Sequence, residues 1–227
     1  MKLFDVLIKD VISEGVYDPN IFKAIILAGG PGSGKSYVAG KTMQGHGLKV
    51  VNSDQQFEYL LDKLKMSKNM ASADMSKYDP VRARAKDMTS KKMTNYIDGR
   101  LGMIIDGTGA DYEKIKRIYI MLKNIGYDVY MVFVNTSLEV AHERNQKRTR
   151  TLPKDIVDQS WRAVQNNIGK FQNLFGGGNM IIVDNNNASD NVLSKIWKKI
   201  RGLLKKPITN IIAKKWISNQ LVQKSKR

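Results

Sequence analysis

An α/β architecture, a parallel five-stranded sheet covered by helices on both faces with a basic helical C-terminal tail, is predicted by three features of this 227-residue chain. Short apolar runs alternate with stretches of helical period along most of its length, the pattern of strands joined by crossover helices. The first run, Ala24 to Ala28, leads straight into Gly29-Gly-Pro-Gly-Ser-Gly-Lys-Ser36. Polar residues close the next two runs, Ser53-Asp54 after one and Asp106 after the other. Those are carboxyl ends of strands, where open α/β sheets bind ligands.

Residues 2–14 place Leu3, Phe4, Leu7, Ile8, Val11 and Ile12 on one helical face, and Tyr17-Asp18-Pro19-Asn20 reads as a turn. A short helix packed on the core is expected there. A strand at 24–28 is followed by a helix from Lys35 to Gln44, a second strand over 48–52, a helix over 56–64 and another over 80–96. The polar stretch 67–78 between those two helices is expected to be a loop. A third strand over 102–105, a helix over 112–125, an apolar fourth strand over 129–134 and a helix over 140–148 come next. A long helix over 153–175, the Gly176-Gly177-Gly178 break and a fifth strand over 180–183 complete the sheet. The domain organisation expected is an N-terminal helix within 1–20, one α/β domain over 21–206 and a tail over 207–227. No internal repeat is seen.

The sequence from Gly29 to Ser36 is a full G-x-x-x-x-G-K-S match, the phosphate-binding loop of the P-loop NTPases. Across Gly30, Pro31, Gly32, Ser33 and Gly34, the residues expected to bind the nucleotide, the glycines let backbone N–H groups turn toward its phosphates. Lys35 reaches the β/γ oxygens and the Ser36 hydroxyl is placed for Mg²⁺. A glycine-rich turn between strand and helix explains the glycines but not Lys35-Ser36.

Three further positions match what phosphoryl transfer needs. Asp54 follows the second strand, where a carboxylate orients an acceptor hydroxyl and takes its proton. Ser-Asp before a helix also serves as an N-cap, a role that the same oxygen cannot readily fill as well. Asp106 closes Met103-Ile104-Ile105 and is placed to hold Mg²⁺ or its bound water; Thr108 and Asp111 after it read equally as helix caps. The basic run Arg144 to Pro153 sets Arg144 and Arg148 four apart on one helical face, where both guanidinium groups can meet a transferring phosphoryl. A solvated basic face is the competing reading.

The phosphate loop, Asn52-Ser53-Asp54, Ile104-Ile105-Asp106-Gly107-Thr108, and Arg144-Asn-Gln-Lys-Arg148 followed by Leu152-Pro153 together resemble the kinase domain of the bacteriophage polynucleotide kinases. The zeta-toxin kinases are similar in outline. The resemblance spans roughly residues 22–185 and implies an ATP- and Mg²⁺-dependent kinase acting on the 5′-hydroxyl of a polynucleotide or nucleotide. It implies Asp54 as general base, Arg144 and Arg148 as lid arginines on the donor phosphates, and the usual roles for Lys35 and Ser36. One element departs from the family: an arginine shortly after the base, which holds the acceptor's phosphate, is replaced by Gln55-Gln56-Phe57-Glu58. Arg82, Arg84 and Lys86 are candidates to take over that contact, or are simply solvated. Two alternatives stay open: a zeta-toxin-like sugar-nucleotide kinase, and a nucleotide-binding structural or assembly protein, of a phage virion or of host takeover, built on the kinase fold.

Composition narrows the classes. There is no cysteine, so disulfides and thiolate chemistry are excluded, and His46 and His142 lack metal-ligand spacing. The acidic start, with Asp5, Asp10 and Glu14, does not suit a signal peptide, and no apolar run reaches membrane-spanning length; a cytoplasmic protein is expected. The net charge of +17 is uneven, since residues 191–227 hold eleven Lys/Arg and no Asp/Glu. Within that tail Leu193, Trp197, Ile200 and Leu204 follow helical spacing, then Pro207, then Ile208, Ile211, Ile212, Trp216 and Leu221 among Lys214 and Lys215. The first stretch suits a final core helix. The second suits packing on the body, or binding to nucleic acid, an acidic protein or an anionic membrane surface.

Overall fold

Residues 15–68 and 75–226 are described by the structure, a computed structural model. The helix expected over 2–14 and the centre of the 67–78 stretch lie outside them. Five parallel strands, β1 (Lys23–Ala28), β2 (Lys49–Val51), β3 (Met103–Asp106), β4 (Asp128–Asn135) and β5 (Met180–Asp184), lie in the order β2-β3-β1-β4-β5. β1 is central and buried throughout, which is why its residues run apolar without alternation. Because the chain crosses from β3 to β4 over β1, the carboxyl end of β1 is the switch point where such sheets open a crevice.

The helices are α1 (Lys35–Thr42), α2 (Ser53–Lys63), α3 (Asp79–Asp98), α4 (Tyr112–Asn124), α5 (Leu138–Gln146), α6 (Lys154–Gln165), α7 (Ile168–Phe175), α8 (Asp190–Leu204) and α9 (Ile211–Ser225). Alternate strand residues feed two cores. Ala24, Ile26, Met103, Met131 and Phe133 pack against Ile115, Leu122, Val164, Phe171 and Ala213 from α4, α6, α7 and α9. Ile25, Leu27, Ile104 and Val132 pack against Val38 of α1 and Leu193, Ile196, Ile200 and Leu204 of α8. A third, smaller cluster, Phe57, Leu60, Leu61, Tyr78, Val81 and Ala85, ties α2 to α3 beyond the sheet.

Two expected helices change. The long one over 153–175 is broken at Asn166-Asn167, because the buried Asn167 amide donates to the Gly109 and Ala110 carbonyls (3.0 and 2.9 Å) and turns away from a continuous helix. The helix over 140–148 runs instead from Leu138, capped by Ser137, to Gln146. Arg148 therefore lies in the following loop, and the shared helical face expected for Arg144 and Arg148 is not formed. In the tail, α9 packs on the body: Ala213 is fully buried and Trp216 meets Phe22 edge-on at 5.6 Å between ring centroids. Ile211, Ile212, Leu221 and Val222 on its other side are exposed. No helix among the described residues is long and apolar enough to cross a membrane.

Candidate functional site

Gly29 to Gly34 leave β1 and enter α1 with Gly32 (φ 75°) and Gly34 (φ 83°) in the left-handed region. Both are also pressed by neighbours. A Cβ at Gly32 would stand 2.2 Å from the Ala141 carbonyl oxygen of α5, and one at Gly34 would stand 2.3 Å from Asn185 Nδ2. The loop is stitched to the end of β3, since Gly29 N–H donates to Thr108 O (2.9 Å) and Gly107 N–H donates to Leu27 O (3.0 Å). On the other side Asn185 Nδ2 and Arg144 Nη1 both donate to the Ser33 carbonyl, at 2.8 and 3.4 Å. Lys35 folds back over the loop and donates to Gly29 O (2.7 Å). Desolvation pushes its ammonium below the ordinary lysine value, against the pull of Asp106 and Asp54.

The cap at the start of α2 is Asn52. Its side-chain oxygen accepts from the N–H groups of Asp54 (2.7 Å) and Gln55 (3.4 Å), while its Nδ2 donates to Asp106 Oδ2 (2.7 Å). One residue thus caps the helix and joins β2 to β3, and the Asp54 carboxylate is left free of capping. Asp54 is instead met by Arg150, whose Nη1 donates to Oδ1 at 3.1 Å. Desolvation works to raise the Asp54 pKa, but the hydrogen bond and charge of Arg150, then Lys35 and Arg82, outweigh it and hold the carboxyl below its usual value. Asp106 goes the other way: desolvation and the Asp54 charge raise it, with Lys35 opposing. Asp111 is an N-cap, accepting from Lys114 N–H (2.9 Å), and Thr108 contacts the phosphate loop through its backbone.

Ser36, Asn52, Gln55 and Asp106 line one cavity of about 560 Å³ whose floor is Leu27, Val50 and Ile104. Asp106 Oδ1 is buried there with no hydrogen-bond partner among the described residues. An unmatched carboxylate oxygen and a first-turn hydroxyl on the same cavity suit a hard cation such as Mg²⁺, which keeps most of its ligands as water and phosphate. A second cavity, about 360 Å³, opens beside Gly34 between Tyr37, Arg144 and Asn185 to Ala188. Arg144 spans it, with Nη2 on the Asn186 carbonyl at 3.1 Å. Asn186 in turn takes Thr136 Oγ1 (3.0 Å) and the Ser137 N–H (2.7 Å) on its side-chain oxygen.

The sequence of a family described as an AAA domain matches residues 25–171. The chain belongs to this AAA-domain family. No curated protein sequence matches it. Among solved structures, a candidate kinase from Chloroflexus aurantiacus is 19% identical with a TM-score of 0.58, covering 82% of this chain and 100% of that one. A chain of the PezAT toxin-antitoxin system of Streptococcus pneumoniae is 17% identical, also at 0.58, over 89% of this AAA-domain chain and 97% of its own. A chain of the Pnkp1/Rnl/Hen1 RNA repair complex is 21% identical at 0.51, over 66% and 46%. Identities this low establish a shared P-loop α/β fold. They do not select the polynucleotide kinases from among the relatives.

The fold gathers Lys35, Ser36, Asp54 and Asp106 at the carboxyl ends of β1, β2 and β3. Arg144 lies on the far side of the phosphate loop from Asp54, and Arg148 is an exposed loop residue near Lys35. Three contributors stand in the quoted motifs but are given no role of their own by sequence reading: Asn52, Asn145, which bonds the Leu152 backbone, and Arg150. Asn-Ser-Asp after a strand is a recognisable cap signal for Asn52. Nothing local tells what the other two bind.

Proposed function

We propose that this AAA-domain chain is an ATP-dependent phosphotransferase that moves the γ-phosphoryl group to an acceptor hydroxyl. The observation that carries this reading is the convergence of charge on Lys35 from two carboxylates, Asp106 at the end of β3 and Asp54 in the first turn of α2, the latter released from helix capping by Asn52. A scaffold that only binds nucleotide has no use for a carboxylate kept out of the helix cap at that place. Lys35 and the loop N–H groups hold the donor phosphates, and the nucleoside lies toward Tyr37 and Asn185 to Ala188. Asp54 orients the acceptor hydroxyl and receives its proton. Ser36 and Asp106 would hold Mg²⁺, which would supply charge neutralisation on the phosphates.

The acceptor we propose is the 5′-hydroxyl of a polynucleotide or nucleotide. The sequence resemblance supports it, as does Arg82, which stacks on Phe57 (4.4 Å to the ring centroid) and lies close enough to Asp54 to act on its charge. Incubation with γ-labelled ATP and Mg²⁺ against 5′-hydroxyl oligonucleotides, nucleosides and UDP-sugars tests both levels. Label on oligonucleotides is expected; label on UDP-sugars alone would overturn the acceptor, and intact ATP binding with no transfer to any of them would overturn the kinase. Asp54→Asn should lower transfer by about 10²-fold or more while leaving ATP affinity near that of the parent.

A further inference from the structure

Arg150 belongs to the loop after α5, yet it is among the most buried charged groups of the described residues, with 7% of its side chain exposed. Such burial demands partners. Asp54 Oδ1 takes Nη1 at 3.1 Å, Glu58 Oε1 stands 3.3 Å from Nε, and the guanidinium lies 5.8 Å from the centre of the Phe57 ring. Asp54 and Glu58 are four apart on α2, so one guanidinium pairs with both carboxylates from one helical face, by a hydrogen bond to Asp54 and by charge alone to Glu58, Nε having no hydrogen-bond partner among the described residues. The loop that delivers it is pinned by the buried Asn145, which donates to the Leu152 carbonyl (2.9 Å) and accepts from the Leu152 N–H (3.1 Å).

We propose that Arg150 is a positioning residue for the reaction: clasped by Asp54 and Glu58, it fixes the base through Oδ1 and leaves Oδ2 to the acceptor hydroxyl. The inference rests on the phosphotransferase reading above. It also assigns Glu58 a purpose. The position that breaks the family pattern after the base supplies the second carboxylate of the clasp, and Arg150, already matched by two carboxylates, is not the group that reads an acceptor's phosphate. The same loop carries Arg148, whose charge acts on Lys35, so one segment bears on both the base and the donor side.

The test compares the parent, Arg150→Gln, Arg150→Lys, Asp54→Asn and the Arg150→Gln/Asp54→Asn double variant. Two readouts are used: carbon-13 NMR titration of the Asp54 carboxyl without substrate, and transfer from ATP–Mg²⁺ to a 5′-hydroxyl oligonucleotide across pH. In Arg150→Gln the carboxyl should titrate at higher pH than in the parent, because a favourable charge has gone. The acid limb of the transfer rate should move up with it. Loss of the clasp should cost about tenfold in kcat, as misplacement of a reacting group does, with little change in ATP affinity. Adding Arg150→Gln to Asp54→Asn should cost nothing more. An unmoved titration, or losses that multiply in the double variant, would overturn the clasp. Should Arg150→Gln fail to fold, Arg150→Lys decides: it keeps the charge but not the fork, so a titration near the parent's with reduced transfer is expected, and full transfer would overturn the proposal. Absence of transfer in the parent would strike the kinase reading instead, and the titration would still judge Arg150.

Discussion

At Gly32 two independent constraints fall on one residue. Its φ of 75° is open to glycine at little cost, and the space where a Cβ would go is taken by the Ala141 backbone at 2.2 Å. Gly45 separates these effects, because its φ is 80° with nothing within 4 Å of the added atom. Gly45→Ala should cost only the left-handed penalty, about 1–2 kcal/mol, with nucleotide affinity unchanged. Gly32→Ala must shift either the loop or α5. Its affinity for a fluorescent ATP analogue should fall by about tenfold or more, and its melting temperature should drop further than that of Gly45→Ala. Equal behaviour of the two variants in both measurements would show that the contact with α5 is inconsequential.

Strand ends are where elements here are locked to one another, and Lys23 at the start of β1 is the clearest case. Its side chain is 3% exposed, and its Nζ donates to Asp128 Oδ2 of β4 (2.6 Å) and to the Lys206 carbonyl after α8 (2.7 Å). A buried ammonium that loses its carboxylate keeps its desolvation penalty. Asp128→Asn is therefore expected to destabilise the fold by about 3 kcal/mol, whereas Lys23→Met, which removes the charge and keeps the stem, should cost much less. Denaturant unfolding of the two variants checks the order, and the reverse order would refute the argument. Elements also mark the limits of sequence reading. The five apolar runs are found where periodicity puts them, since strand burial is written in residue type. The break at Asn166-Asn167 is not, since two polar residues inside a helical period carry no local stop signal. Asn167 ends the helix by bonding to Gly109 and Ala110, residues nearly sixty positions away.

Across the whole molecule the tail is the open electrostatic feature, and α9 joins it to the core. Trp216 sits edge-on to Phe22, with the Arg100 guanidinium 5.7 Å from its ring centre, and Ala213 fits against Gly126, where φ is 103°. Because Trp216 is only partly buried, Trp216→Ala should cost somewhat less than a full core truncation, about 2–3 kcal/mol, seen as a drop in melting temperature. Its nucleotide affinity should be unchanged, because the phosphate loop is at the opposite end of β1. A variant with parental stability would show that α9 is a detachable appendage.

By itself the sequence determines the phosphate loop, the order of strands and helices, and the candidates Lys35, Ser36, Asp54 and Asp106. Each of these is fixed by local chemistry: glycine's φ range, the period of apolar residues, the polar end of a strand. Tertiary structure alone shows that Asp54 is not the cap of α2. The cap is Asn52, and the group that meets the freed carboxylate is Arg150, 96 residues further along the chain. Charge pairing and close approach depend on distance in space, and only the packed sheet, with the loop after α5 folded over α2, sets those distances.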